Sequence, residues 1–302
     1  NWFIITLSDL LTNYYFNQQS AMDKNSIDTA PYLAGVIGHP ISHSKSPKLH
    51  NYWLTKYDIN GFYIPFSVTT ERLQNSLKSL IDLGFKGVNV TIPHKTNVLT
   101  FADSITDRAA LIGAANTLYF SKGGKIHADN TDGYGFIQNI VDEIPDFDFY
   151  DKTAIIYGAG GSSRAIASAL ISNGIKQVGI TNRTRSKAQI ISENLGAKVL
   201  VMDWRTAPET IGEADIIINA TSMGMVGQPQ FNQPISNAKR TALVVDIVYN
   251  PMLTDLIKEA ERLKLKTIGG IGMLINQAVP GFEHWFQKTP VIDDRIRKFI
   301  IE

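Results

Sequence analysis

The chain has 302 residues, of which 44% are hydrophobic and 19% charged, with a formal net charge of +1. This suffices for two globular domains with their own cores, and the near-neutral balance, with no Lys/Arg stripe along any helix, excludes a nucleic-acid footprint. The absence of cysteine excludes disulfides, thiolate chemistry and Cys-based zinc sites and fits a reducing cytoplasm, while the six scattered histidines lack metal-ligand spacing, so no metal is expected.

Asn1 to Leu11 is apolar, but Asp9 interrupts it and the first basic residue is Lys24. A signal peptide needs a basic start, and a membrane span needs about 20 apolar residues. Residues 1–30 are therefore expected to be an extension outside the fold, with Met22 the natural start and no membrane partner.

From Tyr32 the pattern alternates strand and helix: Tyr32–Ile37 as strand, Pro47–Tyr57 as helix, Phe62–Val68 as strand, Glu71–Leu83 as amphipathic helix. Before the first helix stands Ser42-His-Ser44-Lys-Ser46-Pro47. Pro47 suits a first helical position and Ser46 an N-cap, and hydroxyls beside free N–H groups also make a carboxylate pocket. On this segment alone a helix cap with decorating serines is the preferred reading.

Gly87–Thr91 reads as the next strand and leads into Asn89-Val-Thr91-Ile-Pro93-His-Lys95. Asn89 and Thr91 share a strand face and Pro93 stops the strand, which delivers Lys95 at its mouth; an ordinary strand exit with a solvated lysine has the same appearance. Helical segments are expected over Asn97–Ala115, then a hairpin of Thr117–Phe120 and Lys125–Ala128. Asn130-Thr-Asp132-Gly opens a helix to about Ile144, and Thr131 or Asp132 could simply cap it. Together, Lys95 and Asp132 place an ammonium and a carboxylate at two loop edges of one small domain, able to move a proton to or from a hydroxyl undergoing hydride transfer.

Pro145 to Asp151 is a polar, aromatic break. Strands are then expected near 153–157, 176–180, 198–201, 215–219, 243–247 and 266–268, interleaved with helices as in a doubly wound parallel sheet. The first ends in Gly158-Ala159-Gly160-Gly161-Ser162-Ser163-Arg164-Ala165. Gly158 permits the tight turn and Gly160 the approach of a pyrophosphate to a helix N-terminus, although Ser163 stands where a third glycine is usual. The acidic ribose ligand of an NAD site should follow about 20 residues on. Asn182-Arg183-Thr184 stands there instead, and an arginine with a hydroxyl suits a 2′-phosphate, so the cofactor expected is NADP. Two last helices, Met273–Gln287 and Asp293–Ile301, have no strand to serve and are expected to return over the first domain. Met223 and Met225 read as loop packing.

These segments, with Gly113-Ala-Ala-Asn116-Thr, Asn219-Ala-Thr221-Ser-Met-Gly and Gly270-Ile-Gly-Met273-Leu-Ile-Asn-Gln277, resemble the shikimate dehydrogenase family in order from Tyr32 onward. The resemblance implies an α/β protein of two domains: a substrate domain over 31–132 completed by 271–302, and a Rossmann-type NADP domain over 133–270. It implies that Ser44 and Ser46 bind the substrate carboxylate, that Asn89, Thr91, Asn116, Asp132 and Gln277 hold the ring hydroxyls, and that Tyr249 lies beside the ring. Lys95 and Asp132 would be the catalytic pair. Gly158, Ala159, Gly160, Gly161 and Ser162 would hold the pyrophosphate, and Asn182, Arg183, Thr184 and Lys187 the adenosine phosphate. Thr221 would join the cofactor site, with Gly270 and Met273 near the nicotinamide. The implied reaction is NADPH-dependent reduction of 3-dehydroshikimate by a monomer or homodimer. Quinate turnover with NAD is the nearest alternative, and Thr184-Arg185 stands where the NAD-using branch carries an acidic residue. A non-catalytic dinucleotide sensor would have lost Lys95 or Asp132. His39 and His94 receive no catalytic role.

Overall fold

The computed structural model describes residues 30–302. The expectations for the extension and for Met22 lie outside the described residues.

The first half builds a mixed sheet. Its elements are β1 (Tyr32–Gly38), α1 (Ser46–Lys56), β2 (Gly61–Ser67), a 3-10 turn at Thr70–Arg72 continuing into α2 (Leu73–Asp82), and β3 (Gly87–Val90). A second 3-10 turn (Asn97–Phe101), β4 (Ser104–Ile105), α3 (Asp107–Ile112), β5 (Thr117–Phe120), β6 (Ile126–Asp129) and α4 (Asp132–Glu143) follow. The strand order is β2-β1-β3-β5-β6-β4, with β1, β2 and β3 parallel and β5 antiparallel to both β3 and β6.

One expectation is refined and one corrected here. The helical segments expected over Asn97–Ala115 are present at Asn97–Phe101 and Asp107–Ile112, but between them Ser104–Ile105 pairs with His127–Ala128 and the Asp103 carboxylate accepts the Ile126 N–H at 2.9 Å. A tertiary partner decides that segment. Ser46 is also not the N-cap of α1. The helix begins at Ser46 itself, and the Ser44 hydroxyl accepts the Ser46 N–H at 3.3 Å.

The second half is the expected parallel sheet. It runs β7 (Thr153–Tyr157), α5 (Gly161–Ser172), β8 (Gln177–Thr181), α6 (Arg185–Leu195), β9 (Val199–Met202), α7 (Ala207–Thr210), β10 (Ile216–Asn219), β11 (Leu243–Asp246), α8 (Asp255–Arg262) and β12 (Lys266–Ile268). All neighbours in the order β12-β11-β10-β7-β8-β9 are parallel. The direction of winding reverses between β7 and β10, and such a switch point opens a crevice at the carboxyl ends of the strands. Helices α9 (Ile271–Phe286) and α10 (Asp294–Ile301) complete the chain.

Each sheet buries apolar residues on both faces. In the first, Ile37, Val88 and Val90 pack with Leu73, Leu77 and Leu80 of α2. On its other face, Ala34, Val36 and Tyr63 meet Trp53 of α1, Phe282 and Trp285 of α9, and Ile296 and Ile300 of α10. The C-terminal helices thus share a core with the first sheet. In the second, Ile156, Ile166, Val178 and Ile218 lie in one cluster and Ile155, Ile217, Val244 and Leu256 in another.

One crossing matters most for function. A Cβ at Gly133 of α4 would lie 2.8 Å from the Ala165 carbonyl of α5, and one at Gly135 would lie 2.7 Å from the Gln277 nitrogen of α9. Only glycine lets α4 press so closely between its two neighbours. Among the described residues no helix is long and apolar enough to cross a membrane.

Candidate active site

The exit of β3 is pinned from several sides. The His94 N–H donates to the Thr91 carbonyl at 2.9 Å, and the Ala115 N–H donates to the Lys95 carbonyl at 2.7 Å. His94 is fully buried, and its Nε2 donates to the Val68 carbonyl at 2.6 Å, which fixes the tautomer. It is a packing and anchoring residue. His39 is instead exposed, with Nδ1 3.0 Å from the Ser67 hydroxyl.

So held, Lys95 forms an ion pair with Asp132, the first residue of α4. The side chains are 15% and 6% exposed, which leaves little water to screen the pair. Asp132 faces only donors: Lys95 Nζ and the Ser162 hydroxyl (3.1 Å) at Oδ2, and Asn116 Nδ2 (2.8 Å) at Oδ1. Thr131 does not cap α4 with its side chain. Its hydroxyl donates to the Gln277 carbonyl at 2.8 Å, and its N–H donates to Asn116 Oδ1 at 2.8 Å. Asn116 Nδ2 also lies 3.1 Å from Gln277 Oε1. Asn89 joins the group by donating to the Asn116 carbonyl (3.1 Å) and to the Thr117 hydroxyl (3.2 Å). Asn89, Lys95, Asn116, Asp132 and Gln277 therefore belong to one polar network.

Tyr63 connects this network to the serine loop and went unread in the sequence. Its hydroxyl donates to Asn89 Oδ1 at 2.5 Å and lies against the Ser46 side chain. Burial pushes its phenol well above the usual range, with Ser46 opposing. The ring stacks on that of His50 at 3.9 Å, and burial pushes the His50 imidazole down to about 3, so it stays neutral. A tyrosine inside an apolar strand carries no local signal of such a link. Tyr249 is half-buried in the loop after β11, and burial raises its phenol while the Lys45 backbone opposes the rise. It thereby approaches the serine loop. Thr91 stands at the end of β3, and its methyl fills the space where a Cβ at Gly38 would fall, at 2.4 Å.

At the switch point Gly158 has φ +114°, and a Cβ there would lie 2.7 Å from the Ala220 carbonyl, so only glycine fits. At Gly160 an added Cβ would meet nothing within 4 Å, so the turn faces open space in front of the first N–H groups of α5. Ala159 is buried between the two glycines, and Ser163 folds back to accept the Gly160 N–H at 3.3 Å. The third-glycine position thus tolerates serine. Beyond β8, Asn182 Nδ2 donates to the Thr184 carbonyl at 2.9 Å. Arg183, Thr184 and Lys187 are exposed at the start of α6, and neither Arg183 nor Lys187 has an ion pair among the described residues. A turn open to an anion, with free cations one strand over, fits a phosphorylated dinucleotide.

The Thr221 hydroxyl donates to Asn219 Oδ1 at 2.7 Å and accepts the Met223 N–H at 3.0 Å, closing the turn after β10. Met223 is buried in the core, as its packing reading requires. Asn219 Nδ2 in turn donates to Asp246 Oδ1 at 3.0 Å. Asp246, at the end of β11, is a further buried carboxylate that the sequence reading passed over. Gly270 precedes α9 with the Ile247 carbonyl 2.2 Å from where a Cβ would fall, and Met273 is buried one turn in.

Residues 36–118 match the model of the shikimate dehydrogenase substrate-binding domain, and residues 139–271 match that of the shikimate/quinate 5-dehydrogenase domain. The shikimate dehydrogenase (NADP+) of Jannaschia sp. is 48% identical over 274 residues, covering 91% of this chain and 98% of its own. Among solved structures, the shikimate dehydrogenase of Thermus thermophilus in complex with NADP(H) and shikimate superposes with a TM-score of 0.79 at 30% identity, over 89% of this chain and 98% of that one. The quinate dehydrogenase of Corynebacterium glutamicum in complex with NAD gives 0.82 at 28% identity, over 90% and 99%. In sequence as in fold, the chain belongs to the shikimate dehydrogenase family.

Proposed function

We propose that this protein catalyses the reversible NADPH-dependent reduction of 3-dehydroshikimate to shikimate, the reductive step toward chorismate and the aromatic amino acids. The observation that carries this reading is the Lys95–Asp132 ion pair, held by Asn116 and Ser162 in one polar network beside the glycine turn. Bound NADPH supplies a hydride to the ketone carbon. Lys95 gives its proton to the carbonyl oxygen as charge develops there, and Asp132 orients the ammonium and balances its charge. Asn89, Thr91, Asn116 and Gln277 hold the ring hydroxyls, with Tyr249 beside the ring. Ser44 and Ser46 take the carboxylate, with Tyr63 tying Ser46 to Asn89. The backbone from Gly158 to Ser162 cradles the pyrophosphate, and Thr221, Gly270 and Met273 border the nicotinamide. Asn182, Arg183, Thr184 and Lys187 select the 2′-phosphate and hence NADP over NAD.

Steady-state oxidation of shikimate and of quinate, each with NADP+ and with NAD+, tests the assignment through reduced-nicotinamide absorbance. Shikimate with NADP+ should have the highest kcat/KM. Highest turnover of quinate with NAD+ would overturn it, and cofactor binding without turnover would indicate a sensor. The proposed setting is the cytoplasm, as a monomer or homodimer; sedimentation velocity that returned a larger assembly would contradict the latter.

A further inference from the structure

We propose that the Ser162 side chain is a positioning residue for the Lys95–Asp132 pair rather than a ligand of the cofactor phosphates, an inference that rests on those two residues being the catalytic pair. Ser162 is the second residue of α5, so its backbone N–H is among those with no partner inside the helix and remains available to an anion. Its hydroxyl turns away from that role. It donates to Asp132 Oδ2 at 3.1 Å and accepts from Lys95 Nζ at 3.4 Å.

The backbone is built to bring these groups together. Gly161 lets the start of α5 approach the lysine, since a Cβ there would lie 3.3 Å from Lys95 Cδ. Gly133 lets α4 press on α5, which sets Asp132 beside the first turn of the cofactor helix. Asp132 Oδ1 is fixed by Asn116 from the first sheet. Oδ2 is shared between Lys95 and Ser162. Without the hydroxyl, only the flexible lysine would hold Oδ2, and the ammonium would lose its contact on the side of the glycine turn. The serine thus ties the direction of proton delivery to the segment that places the hydride donor. A misplaced proton donor lowers the rate of the chemical step and leaves ground-state binding little changed.

The test compares Ser162→Ala and Ser162→Thr with the unaltered protein in shikimate oxidation by NADP+, with Lys95→Ala alongside. Losing a hydrogen bond to a charged group at the reacting pair should lower kcat about tenfold in Ser162→Ala. The KM for shikimate and the Kd for NADP+, read by fluorescence titration, should stay within about twofold, because the backbone N–H is kept. Ser162→Thr, which retains the hydroxyl, should recover most of the lost kcat. An unchanged kcat in Ser162→Ala, a loss that Thr does not recover, or a loss that appears chiefly as weaker NADP+ binding would each overturn the inference. Full turnover in Lys95→Ala would instead remove the catalytic pair on which it rests.

Discussion

Replacing Asp246 with asparagine should change how stability depends on pH, and the structure sets the size of the effect. The carboxylate is fully buried at the end of β11 and makes no ion pair among the described residues. Three donors reach it: Thr254 Oγ1 at 2.7 Å, the Val248 N–H at 3.0 Å and Asn219 Nδ2 at 3.0 Å. Burial outweighs them and pushes the carboxyl up to about 6, against an ordinary value of 3.8. A folded value above the unfolded one means the native state binds the proton more tightly. The stability this contributes is complete below about pH 4 and is lost as pH rises through about 6. At about 1.4 kcal/mol per pKa unit, the ionised form costs about 3 kcal/mol at pH 8 relative to acid. Linkage returns about 1.4 kcal/mol of this by pH 5. Asparagine keeps an acceptor for Asn219 and Val248, offers a donor to the Thr254 hydroxyl and does not titrate. Urea unfolding of both proteins at pH 8 and pH 5 should therefore show Asp246→Asn gaining on the wild type by about 1.4 kcal/mol more at pH 8 than at pH 5. The same difference in unfolding free energy at both pH values would refute this account of the buried carboxylate.

Lys95→Ala should lower kcat by orders of magnitude while NADP+ still binds, since it removes proton transfer in the transition state and no cofactor contact; an unchanged kcat would remove Lys95 from the mechanism. Arg183→Ala should weaken NADP+ about 10- to 100-fold, the worth of one charged hydrogen bond, and leave NAD+ nearly untouched. Equal losses for the two cofactors in parallel titrations would end the phosphate assignment. Gly133→Ala should destabilise the fold by about 1–3 kcal/mol through overpacking, because the new methyl meets the Ala165 carbonyl and the Ala169 side chain at 2.8 and 2.9 Å. Calorimetry should show a lower Tm and steady-state assays a lower kcat, and a Tm equal to wild type would show that α4 and α5 can part without loss.

Periodicity and turn residues made most elements legible, because a strand with both faces buried or a helix with one apolar stripe announces itself locally. The second sheet was read almost strand for strand. The failures fell where a remote partner decides the local outcome. Ser104–Ile105 is a strand only because β6 offers it an edge, and nothing within Asn97–Ala115 encodes that. At α1 the helix takes in Ser46 and leaves Lys45 at its N-cap without a side-chain bond, an outcome that the spacing of the serines and Pro47 equally allows.

The polar site was legible in a different way. Asn89, Lys95, Asn116 and Asp132 each have an ordinary local explanation, as strand ends, turns or caps, and only their order along the chain set them apart. What local reading lacks is the distance between them, and that distance is set by residues without side chains. Gly133 and Gly135 let α4 close on α5 and α9, and this brings the Asp132 carboxylate to Lys95, Asn116 and Ser162 at once. Tyr63 and Asp246 carry no local signal, and Ser162 signals only a pyrophosphate ligand, for the same reason. Each is a common residue in a common setting until a second segment arrives: Asn89 and Ser46 at Tyr63, Lys95 and Asp132 at Ser162, the Asn219 turn at Asp246. The glycines that admit those segments are therefore as much a part of the site as the polar groups they bring together. A methyl at Gly133 should accordingly lower kcat even though it adds no group to the cleft.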